Sequence, residues 1–398
     1  MDVLVSGASV AGPVLAHWLA RAGVRTTVVE QTPQLRLGTG GHAVDLFAPA
    51  MTVAERMGIA DRLRGAATSS TRLRLERPGR APIEIGRSAL LDDAGTDRHL
   101  EIMRGDLTRM LYDLTRDEVD YRFGDSIAGL TEASGGVDVT FERGDSRRFD
   151  LVIGADGLHS NVRRLAFGPE EDFRRYLGAY LAVFTVTNDH DLCGQTLLHL
   201  DVDRTLAMYA VPGTGQARVV VIFRRREESQ LDRRDVAEQK RMLGKELAAA
   251  DWLVPRLLEQ LEEADDFYLD SITQIVMPNW SKGRVSLVGD AAFSPGPAVG
   301  GGSSLAIVSA YLLARSIEKN AGDYREAFAT YATWVRDYVH ACRGVGPRIL
   351  ATGVPGSRAQ VRFVTWAMRA LPHLPVGVRR RLVAGGATRA LSAFELPA

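Results

Sequence analysis

The first thirty residues constrain the fold more than any other stretch of this chain. Val3-Leu4-Val5 is a short β-branched run, Val14 to Ala20 has helical periodicity, and Thr26-Thr27-Val28-Val29-Glu30 is a second strand. That succession predicts a βαβ unit whose parallel strands lie in a buried sheet. Between the first strand and the helix stands Gly7-Ala8-Ser9-Val10-Ala11-Gly12. Gly7 permits a tight turn, and Gly12 lets the helix pack close against the strand. Amides at the helix N-terminus then face a pyrophosphate, where the helix dipole favours negative charge. The middle glycine of the usual fingerprint is replaced by Ser9, whose hydroxyl can donate to phosphate. Glu30 ends the second strand, where an acid accepts the ribose hydroxyls. The turn alone does not distinguish one dinucleotide from another.

A second loop makes that distinction. Gly289-Asp290-Ala291-Ala292-Phe293 follows the apolar strand Val285–Val288, and Pro297, Gly300, Gly301, Gly302, Ser303 and Ser304 lead into a helix. Asp290 at a strand terminus can bond a polyol hydroxyl. The glycine run lets backbone approach a flat ring without side-chain obstruction. Amides at the start of the next helix stabilise negative charge on that ring. Those requirements describe FAD better than a nicotinamide cofactor.

Composition excludes several classes. Lys+Arg and Asp+Glu number 49 each, so no global field argues for nucleic acid or an anionic membrane, although a local basic patch is allowed. The two cysteines, Cys193 and Cys342, form neither a disulfide framework nor a metal set, and the eight histidines include no pair at ligand spacing beside a carboxylate. A reducing, cytoplasmic location is expected, since the N-terminus enters a strand at once and no apolar run reaches the ~20 residues of a membrane span.

Further along, strands are predicted at 71–76, 82–85, 119–123, 137–142 and 149–153, with an amphipathic helix over Gly105–Arg116. Alternating stretches between 179 and 223 predict a mainly antiparallel sheet, followed by helices near 234–249 and 251–262 and a strand near 267–276. The expected architecture is α/β: a Rossmann-like FAD-binding domain (1–174 with 279–350), an inserted antiparallel substrate domain (175–278) and a C-terminal helical segment (351–398) bridging the two.

With Gly154-Ala155-Asp156-Gly157, Ser160 and Arg163 between the two cofactor loops, and Arg104 opening a helix ahead of them, the chain resembles a known family. It is similar to the FAD-dependent aromatic hydroxylases, the para-hydroxybenzoate hydroxylase class of group A flavoprotein monooxygenases. Gly40-Gly41-His42-Ala43-Val44-Asp45-Leu46 looks like the flavin-side loop of the branch that acts on polycyclic natural products, including tetracycline-inactivating oxygenases. The resemblance implies FAD, with NADPH or NADH as co-substrate and O2 as oxidant. It further implies oxygen transfer to an aromatic or polycyclic small molecule through a flavin C4a-hydroperoxide. It also places Arg104, Gly41 and His42 at the cofactor, and Asp156 near the region that FAD and the nicotinamide share, with Arg163 in support. Three residues depart from the family pattern: Phe293 where His is usual, Ser304 where Asn is usual, and Gln31 after the ribose acid where Arg is usual. Phe293 is expected to supply an apolar wall at the ring.

Other functional assignments weigh less. The cofactor carries the hard chemistry, so no catalytic base is named. Arg224-Arg225-Arg226 can receive NADPH phosphates, though such a run is more often solvated surface. The stripe Val361–Met368 reads as a helix bridging domains ahead of a pocket cap or an oligomer contact, and the chain is expected to be a monomer or homodimer. A redox-silent flavin or ligand carrier is the alternative function. A flavin-dependent halogenase is weaker, because all five tryptophans are isolated.

Overall fold

The structure, a computed structural model, describes residues 1–35, 42–68, 70–86, 99–190, 192–229, 232–248, 250–297, 301–320, 322–375, 378–379 and 391–397. Strand β1 (Asp2–Ser6), helix α1 (Ala11–Arg21) and strand β2 (Arg25–Glu30) form the opening βαβ unit, with β1 and β2 paired in parallel. Val3, Leu4 and Val5 are fully buried, because both faces of this sheet are covered. Its six strands run in the order Ser281–Lys282, Val285–Leu287, Leu151–Gly154, β1, β2, Asp120–Phe123. All of its pairs are parallel except that of Ser281–Lys282.

Chain order reverses at β1, whose neighbours are β2 on one side and Leu151–Gly154 on the other. A parallel sheet opens a ligand crevice at such a switch point, outside the carboxyl ends of its strands. Four adjacent strands end there on the residues that the sequence singled out: Gly7 after β1, Glu30 on β2, Asp156 beyond Gly154, and Asp290 beyond Leu287.

The second large sheet has seven strands in the order Tyr268–Ile275, Arg174–Thr187, Gln216–Arg224, Arg204–Val211, Gln195–Asp201, Arg72–Arg77, Arg80–Gly86. Only Arg72–Arg77 and Gln195–Asp201 pair in parallel. The hairpin 72–86 is therefore hydrogen-bonded into this sheet although the sheet's other strands begin only at Arg174. One face packs under the helices Val236–Leu247 and Val254–Glu263, burying Phe184, Met208, Val221, Phe223, Leu243 and Leu257. Alternation turns the intervening residues to the opposite face, where Ala179, Leu181, Val183 and Ile272 pack with Leu350 and Val354. A three-stranded sheet, Ile127–Ala133, Gly136–Phe141 and Arg147–Phe149, completes the region around β1.

Helix Gly302–Lys319 is buried nearly all round, as its apolar composition requires. The thirty-residue helix Tyr324–Gly353 packs beside it. The latter ends beneath the seven-stranded sheet, where Arg224 donates from Nε to Val354 O at 2.8 Å and from Nη2 to Leu350 O at 2.7 Å. Arg225 pairs with Glu246 at 2.7 Å. Two members of the arginine run thus have structural partners: Arg224 satisfies carbonyls that a helix end leaves without donors.

One expectation needs correction. Residues 43–46 are not loop: Ala43–Leu46 is a strand, antiparallel to Leu100–Met103. Its alternation was visible, since Val44 and Leu46 are the buried members. Gly38 to Gly41, the glycines just before it, lie outside the described residues.

Replacing Arg224 with Ala orphans two carbonyls at a charged hydrogen-bonding site. Chemical denaturation should show a loss of about 2–3 kcal/mol with flavin content unchanged.

Candidate functional site

The phosphate turn is built by close approach. Gly7 has φ +109°, and a Cβ there would lie 2.5 Å from the carbonyl oxygen of Ala155. A Cβ on Gly12 would overlap the Gly7 carbonyl oxygen. Val10 and Ala11 are buried, and helix α1 starts on Val10 with no side chain capping it. Its first amides are accordingly left for an anion.

Glu30 is fixed by three donors: the Ala8 amide at 3.0 Å, the Thr32 amide at 3.0 Å and the Thr32 hydroxyl at 2.8 Å. Glu30 is thereby bonded to the turn between β1 and α1. Gln31 beside it is exposed. From the other side Arg104 Nη2 donates to Ser9 Oγ at 3.1 Å, and the Arg104 amide donates to His42 O at 3.2 Å. Ser9 therefore accepts from a cation in this structure and keeps its own hydroxyl proton to donate. Arg104 and Ser9 thus meet at the α1 N-terminus, where the guanidinium and the helix dipole carry the same sign.

Asp156 stands between Ser6 and the helix Asn161–Ala166. It accepts from the Ser160 hydroxyl and from the Val162 amide at 3.0 Å, while burial pushes its carboxyl above the usual range. Ser160 caps the same helix, accepting from the Arg163 amide at 2.9 Å. Arg163 is fully buried and donates to Ala291 O at 2.8 Å, Leu158 O at 2.6 Å and Glu170 Oε2 at 2.9 Å. It ties the Asp156 turn to the Asp290 loop, so its support is mechanical: it holds two loops together.

Glu170 and Asp270 stand beside the Asp156 turn, and the sequence reading did not name them. His159 lies between them, with Nδ1 3.0 Å from Glu170 Oε1 and Nε2 2.8 Å from Asp270 Oδ2. Burial disfavours the imidazolium, but the hydrogen bonds and charges of Asp270 and Glu170 outweigh it and raise the His159 pKa. Burial likewise opposes ionisation of Glu170. Its bond to His159 and the charges of His159, Arg233 and Arg163 prevail, carrying it from 4.5 down to about 2. Asp270 belongs to the seven-stranded sheet, so this cluster fastens that sheet to the Asp156 turn. No local pattern announces it, because Asp270 lies 111 positions from His159.

The Asp290 loop turns at Gly289, φ +63°. Asp290 is half-buried; burial raises its pKa while the charge of Arg104 opposes the rise. A Cβ on Gly302 would sit 3.9 Å from Asp290 Oδ1, which places the carboxyl against the start of helix Gly302–Lys319. That helix begins on Gly301, φ +80°, again without a side-chain cap. Pro297 and Ser303 flank the start half-buried, and Gly300 lies outside the described residues.

Two of the three departures acquire reasons here. Ser304 accepts from the Phe47 amide at 2.9 Å and donates to Asp45 O at 3.1 Å, joining the helix to the strand Ala43–Leu46. Phe293 corrects the expectation of a wall at the ring. It is fully buried, edge-on to Trp280 at 5.2 Å and 80°, and belongs to the core.

The edge strand Tyr268–Ile275 faces this loop with every second residue. Gln274 Nε2 donates to Pro295 O at 3.1 Å, Ile272 packs at Gly296, and Asp270 holds His159. Tyr268 ends the series, donating to Asp270 at 3.2 Å within the fields of Arg104 and Asp290, with burial raising its pKa well above the usual phenol value.

Cross-strand register continues that face as a row: Leu198 opposite Ala207, Ala207 opposite Val220, Val220 opposite Val183, Val183 opposite Tyr268. All but Val183 are half-buried. The next row on one side is polar, Thr196, Tyr209, Arg218 and Thr185. Tyr209 accepts from the Ala43 amide at 2.8 Å, which brings this row against the strand next to Ser304.

Comparison with known proteins agrees with this geometry. A family model described as an FAD binding domain matches residues 1–332. An uncharacterized protein of Mycobacterium tuberculosis is 41% identical over 333 residues, 83% of this chain and 88% of that one. A flavin-dependent monooxygenase of Legionella longbeachae is 35% identical over 355 residues, 87% of this chain and 88% of its own length. The crystal structure of tetracycline destructase Tet(55) superposes with a TM-score of 0.85 at 32% identity, covering 100% of this chain and 98% of that one.

Two outcomes follow from the packing and the charges. Gly12→Ala forces α1 away from the Gly7 carbonyl, so flavin affinity measured by fluorescence titration should drop at least tenfold. Glu170 contributes stability above its ordinary 4.5, and the contribution disappears as pH falls to about 2. His159, raised, contributes below its ordinary 6.5 and ceases to as pH rises through its folded value. Glu170→Gln should therefore cost about 3 kcal/mol near pH 5–6, with the gap from wild type closing toward pH 2 in denaturant melts.

Proposed function

The chain belongs to the FAD binding domain family and is a flavin-dependent monooxygenase, and from that premise we propose that it uses NADPH or NADH and O2 to hydroxylate a multi-ring aromatic compound bearing oxygen substituents. The observation that carries this reading is the row Leu198–Ala207–Val220–Val183–Tyr268. Five strands wide, it spans about 19 Å at the usual strand spacing, more than a single phenol covers. The adjoining Thr196 and Tyr209 offer hydroxyls to ring oxygens, and Arg218 beside them is ion-paired with Asp266, so an apolar platform with one polar margin fits a flat, oxygenated polycycle.

The residues present fit FAD. Two long helices start without side-chain caps at glycine turns, and the acids Glu30 and Asp290 stand at strand ends for ribose and polyol hydroxyls. Arg104 with the α1 amides would hold the pyrophosphate; Gly301 and Gly302 would admit the ring. When bound, FAD supplies the activation of dioxygen and the oxygen transfer, and the nicotinamide supplies the electrons. The protein's part is to bind and orient. Amides at Gly302 and Ser303 stabilise negative charge on the ring. The apolar row excludes water from the reacting face. Tyr268, held by Asp270, presents a phenol oxygen toward a bound substrate.

The test is NAD(P)H oxidation by the FAD-loaded protein with and without a polycyclic phenol, with product analysis. Substrate should accelerate oxidation and gain one oxygen atom. A yellow protein that never oxidises NAD(P)H with any such compound would leave the carrier function instead. Val220→Arg places a charge in the middle of the row. It should raise KM for the polycycle by tenfold or more while leaving flavin content intact.

A further inference from the structure

The chain is electrically neutral as a whole, but its charges are not spread evenly. From Tyr338 to Phe394 the sequence contains nine arginines and no aspartate, glutamate or lysine. Helix Arg358–Ala370 lies within that acid-free segment and has no fully buried residue. Its inner positions Val361, Val364, Thr365 and Met368 repeat at helical spacing and are half-buried. Met368 packs on the cluster of Leu75, Ile83 and Ile85 with Leu198 and Leu200.

The outer positions Arg362, Phe363, Trp366 and Arg369 form one exposed stripe. Phe363 is 66% and Trp366 65% exposed, with their rings 6.2 Å apart. They are the most exposed large apolar side chains among the described residues. A face that leaves two adjacent large aromatic rings in water and flanks them with guanidinium groups is made for a partner both apolar and anionic.

We propose that this face of helix Arg358–Ala370 docks on the surface of an anionic phospholipid bilayer. Phe363 and Trp366 enter the headgroup level, where amphipathic rings are favoured, and Arg362 and Arg369 meet lipid phosphates with their planar forks. Association is peripheral: among the described residues no helix is long and apolar enough to cross a membrane. Charge argues against a second copy of the chain as the occupant. A two-fold contact would set an arginine-bearing, acid-free face against itself. Because Met368 anchors the helix to the strand that carries Leu198, docking also brings the proposed substrate platform to the surface where apolar compounds concentrate. That consequence rests on the function proposed above; the docking itself does not.

Flotation of the FAD-loaded full chain with phosphatidylcholine vesicles, with and without phosphatidylglycerol, tests the proposal. The protein should float with anionic vesicles only, and less as salt rises. Each arginine is worth about fivefold in partition near an anionic surface at low salt. The pairs Phe363→Ser with Trp366→Ser, and Arg362→Glu with Arg369→Glu, should each lose tenfold or more. Their flavin spectra and light-scattering mass should match wild type, which excludes misfolding. Equal behaviour with both vesicle types, or variants that float like wild type, overturns the proposal. So does a dimer that only the aromatic pair dissociates, which assigns the face to a second copy. Preference for a single-stranded oligonucleotide over anionic vesicles likewise overturns it and assigns the face to nucleic acid.

Discussion

Arg163 is the interaction on which the rest of the site depends. A guanidinium shut off from solvent is tolerated only when its charge is balanced and its donors are placed. Here the balance is Glu170, and the donors go to Leu158 and Ala291. Those partners belong to the Asp156 turn, the Asp290 loop and the segment ahead of the seven-stranded sheet. The position of each is thus set by a single buried group. Glu170 passes the constraint to His159, and His159 to Asp270. A continuous polar chain therefore runs from the Asp290 loop to the strand that carries Tyr268. In the low dielectric of the interior, no member can leave without exposing a neighbour's charge.

The cofactor cradle follows a complementary logic, that of backbone groups deliberately left without partners. Helix α1 and helix Gly302–Lys319 each begin at a glycine turn without a capping side chain, whereas Ser160, Asp235, Asp323 and Ser357 cap other helices of the same chain. Both of these uncapped starts meet the carboxyl edge of the parallel sheet. Arg104 adds a formal cation over the first. The acids Glu30, Asp156 and Asp290 stand at the strand ends, and Glu30 is already held by the Ala8 and Thr32 amides. The electrostatics are arranged before anything binds.

The parts of this site legible in the sequence share a property: each is a short motif whose backbone geometry only certain residues can adopt. Gly7 and Gly12 could be read because the tight turn and the close helix admit no Cβ. Asp290 could be read because a strand end followed by glycines is a local arrangement. The arginine of the Asp156 motif was visible, but its partners were not. The hairpin 72–86 looked like two adjacent strands, and nothing nearby marked its pairing with Gln195–Asp201. Phe293 shows the reverse failure. Its place in a cofactor motif pointed to the ring, while the side chain turned into the core beside Trp280, a contact that sequence distance concealed.

The sequence by itself determined a parallel nucleotide-binding sheet, two cofactor loops and an antiparallel insertion. These rest on periodicity and on glycine's conformational range, which operate within a few residues. Tertiary structure alone decided that Arg163 is a brace, that Ser304 stitches a helix to a strand, and that Arg224 closes a helix end. These depend on which distant groups become neighbours when water is excluded. A buried charge or an orphaned carbonyl is satisfied by whatever the fold brings near it, and that choice is written in no single stretch of the chain.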